Sequence, residues 1–157
     1  MEKPVTPPAK PVGKRRHARE LAIQFLYQHD VGGAESDLRD ALVYFWQTQS
    51  EESTDARKFA EELIRGTMSK FVEIDEKIKK YTEHWELPRI AAVDRNILRL
   101  AMYEMLFRDD IPPVVSINEA VDIAKKFSTA ESGSFVNGIL DKLRGDLPRP
   151  ARTAAGK

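Results

Sequence analysis

From about residue 14 to residue 144 apolar side chains recur every three or four positions, and no alternating apolar–polar stretch is bounded by turn dipeptides. That period predicts an all-α fold. In a first helix over residues 15–30, Ala18, Leu21, Ala22, Phe25 and Leu26 fall within one arc and face the core. Arg16, Glu20, Ile23 and Tyr27 fall on the opposite side. Gly32-Gly33 ends this helix, and a second is expected from Asp37 to Gln49 with Leu38, Leu42, Phe45 and Trp46 inward. Ser53 or Thr54 can cap a long third region in which Phe59, Leu63, Met68, Phe71, Ile74, Ile78 and Tyr81 continue the stripe, with a break expected near residues 71–73.

Pro88 suits the first turn of a helix over residues 88–109. The apolar residues of that segment, among them Ile90, Val93, Ile97, Leu98, Leu100, Met102 and Met105, cover more than one face, so it is expected at the centre. Pro112-Pro113 forces a turn, and Ser116 with Glu119 reads as a capping box opening a helix through Ser128. A last helix follows Glu131–Ser134 and ends near Leu143. The expectation is a compact single-domain bundle of six or seven helices over residues 14–144, flanked by a basic, proline-rich disordered tail at 1–13 and a second tail at 145–157.

A chain of 157 residues, 41% hydrophobic and 32% charged, supplies one core of ordinary size. It has no cysteine, which excludes disulfides, thiolate metal sites and cysteine nucleophiles and fits a cytoplasmic setting. No apolar run approaches the roughly 20 residues of a membrane-spanning helix. The formal net charge of zero is unevenly spread: residues 1–19 carry six lysines and arginines against one acid, residues 144–157 four against one, and the middle is acidic. Basic ends are the footprint of a polyanion partner, and an acidic body can receive a basic protein; solubility alone explains the same pattern.

Candidate chemistry points to binding. His17, His29 and His84 stand in no metalloprotease, nucleophile-elbow, Walker or dinucleotide motif, so neither an enzyme nor a cofactor is expected. Lys14, Arg15, Arg16 and Arg19 crowd the start of a helix, where their charge opposes the dipole; phosphates would compensate them, and a frayed, solvated helix start is the alternative. Phe135 lies at the margin of the arc formed by Val136, Ile139, Leu140 and Leu143. Spacing favours core, yet an aromatic beside free helix amides also suits base stacking. Glu104 falls inside the apolar arc of the central helix and reads as an internal polar link, with Asp94 near the margin.

Three blocks stand in register: Arg15-Arg16-His17-Ala18-Arg19-Glu20; Ala92-Val93-Asp94-Arg95-Asn96-Ile97-Leu98-Arg99-Leu100-Ala101-Met102-Tyr103-Glu104; and Asn118-Glu119-Ala120-Val121-Asp122-Ile123-Ala124-Lys125-Lys126-Phe127 with Phe135-Val136-Asn137-Gly138-Ile139-Leu140-Asp141-Lys142-Leu143. Together they resemble the NusB family of bacterial transcription antitermination factors. The resemblance implies binding of boxA-type single-stranded RNA in nascent ribosomal transcripts, jointly with a small-subunit ribosomal protein called NusE in this role, within an RNA polymerase antitermination complex. By position it makes Lys14, Arg15, Arg16, Arg19, Tyr81, Glu131, Ser132 and Phe135 RNA-side residues, with Lys125 and Lys126 as flanking cations, and Tyr27 and Asp94 partner-side residues. Some members of such families self-associate, so a homodimer is also an open assembly.

The chain departs from the common pattern at Ser128, where glycine is frequent, and at Ser134, where lysine is frequent. These changes put in question the loop before Glu131 and one phosphate contact. Two rival readings are a protein-binding helical adaptor and an accessory RNA-binding domain of the kind attached to ribosomal-RNA cytosine methyltransferases. RNA binding separates the first rival from the antitermination reading.

Overall fold

Gly13 supplies no side-chain cap to α1 (Lys14–Val31), whose first turn holds no acid. Propensity therefore does little for this helix start, and its stability comes from the face that buries Ala18, Leu21, Ala22, Phe25 and Leu26. Ile23, expected outside, is also buried, because two later helices flank α1 and bring Ile97, Leu100 and Ile123 around it. The computed structural model describes residues 13–32, 37–50, 53–83 and 87–148. Residues 1–12 and 149–157 of the two expected tails, Gly33, the Glu51-Glu52 pair and His84 lie outside the described residues.

The described residues form seven α-helices and one short 3-10 turn. α2 (Leu38–Thr48) turns Leu42 and Phe45 inward, with the Phe45 ring edge-on to Phe25 at 5.4 Å. The Ser53 hydroxyl accepts from the Ala56 amide at 3.1 Å and opens α3 (Thr54–Ser69). The expected break falls at Lys70, slightly earlier than residues 71–73, and separates α3 from α4 (Phe71–Thr82). Pro88 lies in the 3-10 turn Leu87–Arg89, so α5 (Ala92–Phe107) begins later than anticipated.

α5 is the central helix. It packs against α1, α3, α4, α6 and α7, which is why apolar residues surround it on more than one face. α3 approaches it closely at Gly66: a β-carbon there would lie 2.0 Å from the Tyr103 ring, so only glycine leaves the ring its place.

α6 (Pro113–Phe127) begins at the proline itself, and the Ser116–Glu119 capping box does not form. Ser116 instead sits one turn inside the helix and donates to Glu104 Oε1 at 2.9 Å, while Glu119 reaches arginines of α1. Thr129 caps α7 (Ala130–Asp146), accepting from the Ser132 amide at 3.0 Å. This helix runs past both the expected end near Leu143 and the domain boundary at residue 144.

Two polar networks fasten α5. Arg19 meets Glu104 through two hydrogen bonds of 2.8 and 2.9 Å in the interior, so Glu104 is an internal link joining α1, α5 and α6. At the far end of α1, Asp30 Oδ2 accepts from Arg95 at 2.8 Å and from Asn96 and Arg99 at 2.9 Å. Arg99 continues to Asp75 of α4. Each charge is paired and hydrogen-bonded, as burial requires.

Candidate nucleic-acid interface

The four cations at the start of α1 separate according to what they touch. Lys14 is largely exposed and stands 3.8 Å from the equally exposed Asp55, a pair that solvent weakens. Arg15 is exposed, its guanidinium 4.4 Å from the centre of the Phe59 ring. Arg16 instead bridges to α6, bonding Glu119 through Nε at 2.6 Å and Asp122 through Nη2 at 2.9 Å. The hydrogen bond to Glu119 holds its guanidinium charged beyond the ordinary arginine range despite partial burial. Arg19 is only 3% exposed and is engaged by Glu104 and Glu119. The sequence reading placed all four on the RNA side; Arg19 has no open surface for a phosphate, and Arg16 is occupied by acids.

The bonds from Arg16, together with Lys126 Nζ to Glu20 at 3.1 Å, lay the first half of α1 along α6. At the end of α6 the chain turns through Ser128 and Thr129 into α7. Lys125, Lys126 and Phe127 stand exposed before the turn and Glu131 after it. Phe135 is half-buried, its ring packed on the edge of the core. Ser132 faces inward beside Gly133 and Val136, and its hydroxyl reaches Asp94 at 3.2 Å. The departure at Ser128 has a local role, since its hydroxyl lies 2.8 Å from that of Ser132. Ser134 is exposed and carries no positive charge to this surface.

Next to this corner is a groove of about 290 Å³ whose lining includes His17, Glu20, Leu21, Tyr27, Val93 and Phe127. Tyr27 is 37% exposed and Phe127 52%. Phe127 and Val93 were missed by sequence reasoning. Phe127 continues the spacing of Ala120, Ile123 and Ala124, so its period reads as core; it is exposed because the stripe runs off the end of α6.

Two other expected surface residues are internal. Tyr81 is 6% exposed and its hydroxyl donates to Asp146 at the end of α7. Burial and that carboxylate push its phenol up to about 12. Its ring face is not open for stacking, as its place in the apolar stripe had implied. Asp94 is 7% exposed, and burial raises its carboxyl above the usual range, with the Ser132 hydrogen bond opposing the rise. It is therefore no rim acid. Among the described residues, no cluster of histidine and acidic side chains can hold a metal ion, and no helix is long and apolar enough to cross a membrane.

A family model described as the NusB family matches residues 16–144, which takes in every helix of the bundle except the ends of α1 and α7. This chain belongs to the NusB family. A relative from Desulfitobacterium hafniense, named transcription antitermination protein NusB, is 50% identical over 129 residues, covering 82% of this chain and 86% of the relative. Among solved structures, NusB of T. maritima is 37% identical with a TM-score of 0.75, covering 96% of this chain and 95% of its own. A chain from the crystal structure of antitermination factors NusB and NusE in complex with dsRNA is 28% identical with a TM-score of 0.76, covering 85% of this chain and 98% of its own. The NusB fold thus accounts for the bundle, with the exposed corner and groove side by side on it.

Proposed function

We propose that this protein is a non-enzymatic, cytoplasmic antitermination factor that binds boxA-type single-stranded RNA together with the small-subunit ribosomal protein NusE and acts on RNA polymerase elongation. The observation that carries this reading is adjacency. Phe127 closes the groove that holds Tyr27, and a short turn later Glu131 and Phe135 begin the other surface, so one helix–helix corner serves two ligands. The relative named for transcription antitermination supports the role, and the similar chain crystallised with NusE and dsRNA supports the pairing of an RNA with that protein.

In this reading Lys14, Arg15, Lys125 and Lys126 supply phosphate contacts, and Glu131 and Phe135 meet bases. Tyr27, Val93 and Phe127 receive the ribosomal protein. Arg16, Arg19, Tyr81, Ser132 and Asp94 hold these groups in place from within.

Titration of boxA-type RNA into the protein, alone and with the ribosomal protein present, tests the reading. Binding that is weakened by salt and strengthened by the partner is expected. Partner binding with no affinity for RNA would instead establish the protein as a helical adaptor.

A further inference from the structure

At the corner a chain of hydroxyls runs inward from the exposed Ser128 through the buried Ser132 to the carboxylate of Asp94. Ser132 Oγ donates to Asp94 Oδ2 at 3.2 Å, and Ser128 Oγ lies 2.8 Å from Ser132 Oγ. A serine hydroxyl has one proton. With that of Ser132 committed to Asp94, the Ser128 hydroxyl is the donor to Ser132, and the direction of the chain is set. Thr129 adds a bond to the Ser132 amide at 3.0 Å.

Asp94 Oδ1 is buried without a hydrogen-bond partner. Sequestering a carboxylate with one oxygen unused is costly, and an apolar side chain would fill the same space with less penalty. The arrangement is better explained by where it leads. On one side, Val93 precedes Asp94 and Phe127 precedes Ser128, and both line the groove. On the other, Glu131 flanks Ser132, and Phe135 follows within a turn. Lys125 is tied to the same turn: a β-carbon on Gly133 would come within 2.7 Å of its Cγ, so the lysine stem lies across α7 there.

We propose that the chain Ser128–Ser132–Asp94 is a positioning device for RNA binding, which seats the first turn of α7 on α5 and so sets where Lys125, Glu131 and Phe135 stand, without itself touching RNA. The inference rests on the RNA-binding reading given above. None of the three residues has to reach the ligand for the device to work.

The test is a double-mutant cycle of Ser132→Ala and Asp94→Ala, titrated with a boxA-type RNA oligonucleotide, with urea unfolding and amide exchange measured on the same proteins. Each single variant is expected to weaken RNA binding roughly three- to tenfold, the effect of about one hydrogen bond, and the double variant no further. Asp94→Asn keeps an acceptor for Ser132 and should retain most of the affinity. Amides of residues 131–135 should exchange faster in the alanine variants while the rest of the helix cores remain protected.

Additive losses would show that Ser132 or Asp94 meets RNA directly and would overturn the proposal, as would unaltered affinity in a folded Ser132→Ala protein. If Asp94→Ala does not fold, Ser128→Ala takes its place in the cycle with the same expectations. Arg15→Ala is the reference for a direct contact. Should it weaken binding while the serine variants do not, the positioning device alone is lost; should the unmodified protein bind no RNA, the functional reading falls and the proposal with it.

Discussion

Arg15 and Arg19 are one helical turn apart on α1, and both guanidinium groups lie over the same ring, 4.4 and 5.5 Å from the centre of Phe59. Their circumstances are otherwise opposite. Arg15 stays exposed, whereas Arg19 enters the seam between α5 and α6 and is bound by Glu104 and Glu119. Desolvation has already committed the charge of Arg19 to the fold, while that of Arg15 remains available to an external anion. A run of basic residues is thus two different things, according to the depth at which each member ends.

The largest expected effect breaks the inner member of the pair. Arg19→Ala leaves Glu104 buried with its main counter-charge gone and should lower stability by about 3–5 kcal/mol in urea unfolding. Replacing both partners, as Arg19→Met with Glu104→Leu, should cost less than either single loss of charge. A normally stable Arg19→Ala protein that had lost RNA binding would return Arg19 to the company of Arg15 and dissolve the distinction.

Phe135→Ala extends the comparison to a residue that is partly inside. The half-buried ring should cost about 1–3 kcal/mol of RNA affinity if it stacks on a base, and less stability than the roughly 3–5 kcal/mol of a fully buried phenylalanine. Titration and unfolding on one variant measure both. Normal RNA affinity with a severe loss of stability would place Phe135 with Arg19.

A smaller effect contrasts the half-buried Asp30 with the buried Asp94 by pH. Burial opposes ionisation of Asp30, but hydrogen bonds from Asn96 and Arg95 and the charges of Arg99 and Arg95 outweigh it and hold its carboxyl below the ordinary range. Its stabilisation is therefore full above the unfolded pKa of about 3.9 and is lost as pH falls through the lower folded value. Asp94 has the opposite sign. With its carboxyl raised by burial, its contribution is present below about pH 3.9 and lost as pH rises through the folded value. Asp30→Asn should accordingly be less stable than the parent at neutral pH, with the gap closing in acid. Asp94→Asn should match or exceed the parent at neutral pH and lose that advantage in acid, and unfolding curves at the two pH values decide each case.

The smallest effect on the fold belongs to Arg15. Arg15→Ala should change stability by no more than about 0.5 kcal/mol. Its effect is expected in the salt dependence of RNA binding, whose log–log slope should shrink by about 0.7 for one lost phosphate contact. An unchanged slope would make the outer arginine solvated surface only, and the contrast with Arg19 would lose its functional side.

Tyr81 shows how much of this was legible and where reading failed. Its spacing after Ile74 and Ile78 predicts a core position, and the ring is indeed buried. The family resemblance drew it to the RNA surface, because similarity assigns a residue to a neighbourhood without saying which atoms are exposed there. Ser116 and Glu119 failed in the other direction. Their spacing fits a capping box, yet Pro112 and Pro113 start the helix earlier, and both side chains serve partners on other helices. Phe127 was hidden because a periodic pattern does not say where a helix outruns its neighbours.

Helix formation, apolar stripes and most helix ends follow from a backbone period and from a few residues with local demands, such as Ser53 at a cap and Pro113 in a first turn. Those interactions span a turn or less, so the order of residues contains them. Arg19 and Glu104 are 85 positions apart, and Asp94 and Ser132 are 38 apart. Which cation is buried, which acid is left short of a donor and which aromatic stays exposed depend on how α1, α6 and α7 pack around α5. A charge or hydroxyl has no fixed role until packing sets its distance from a partner and from water, and that setting is a property of the assembled helices.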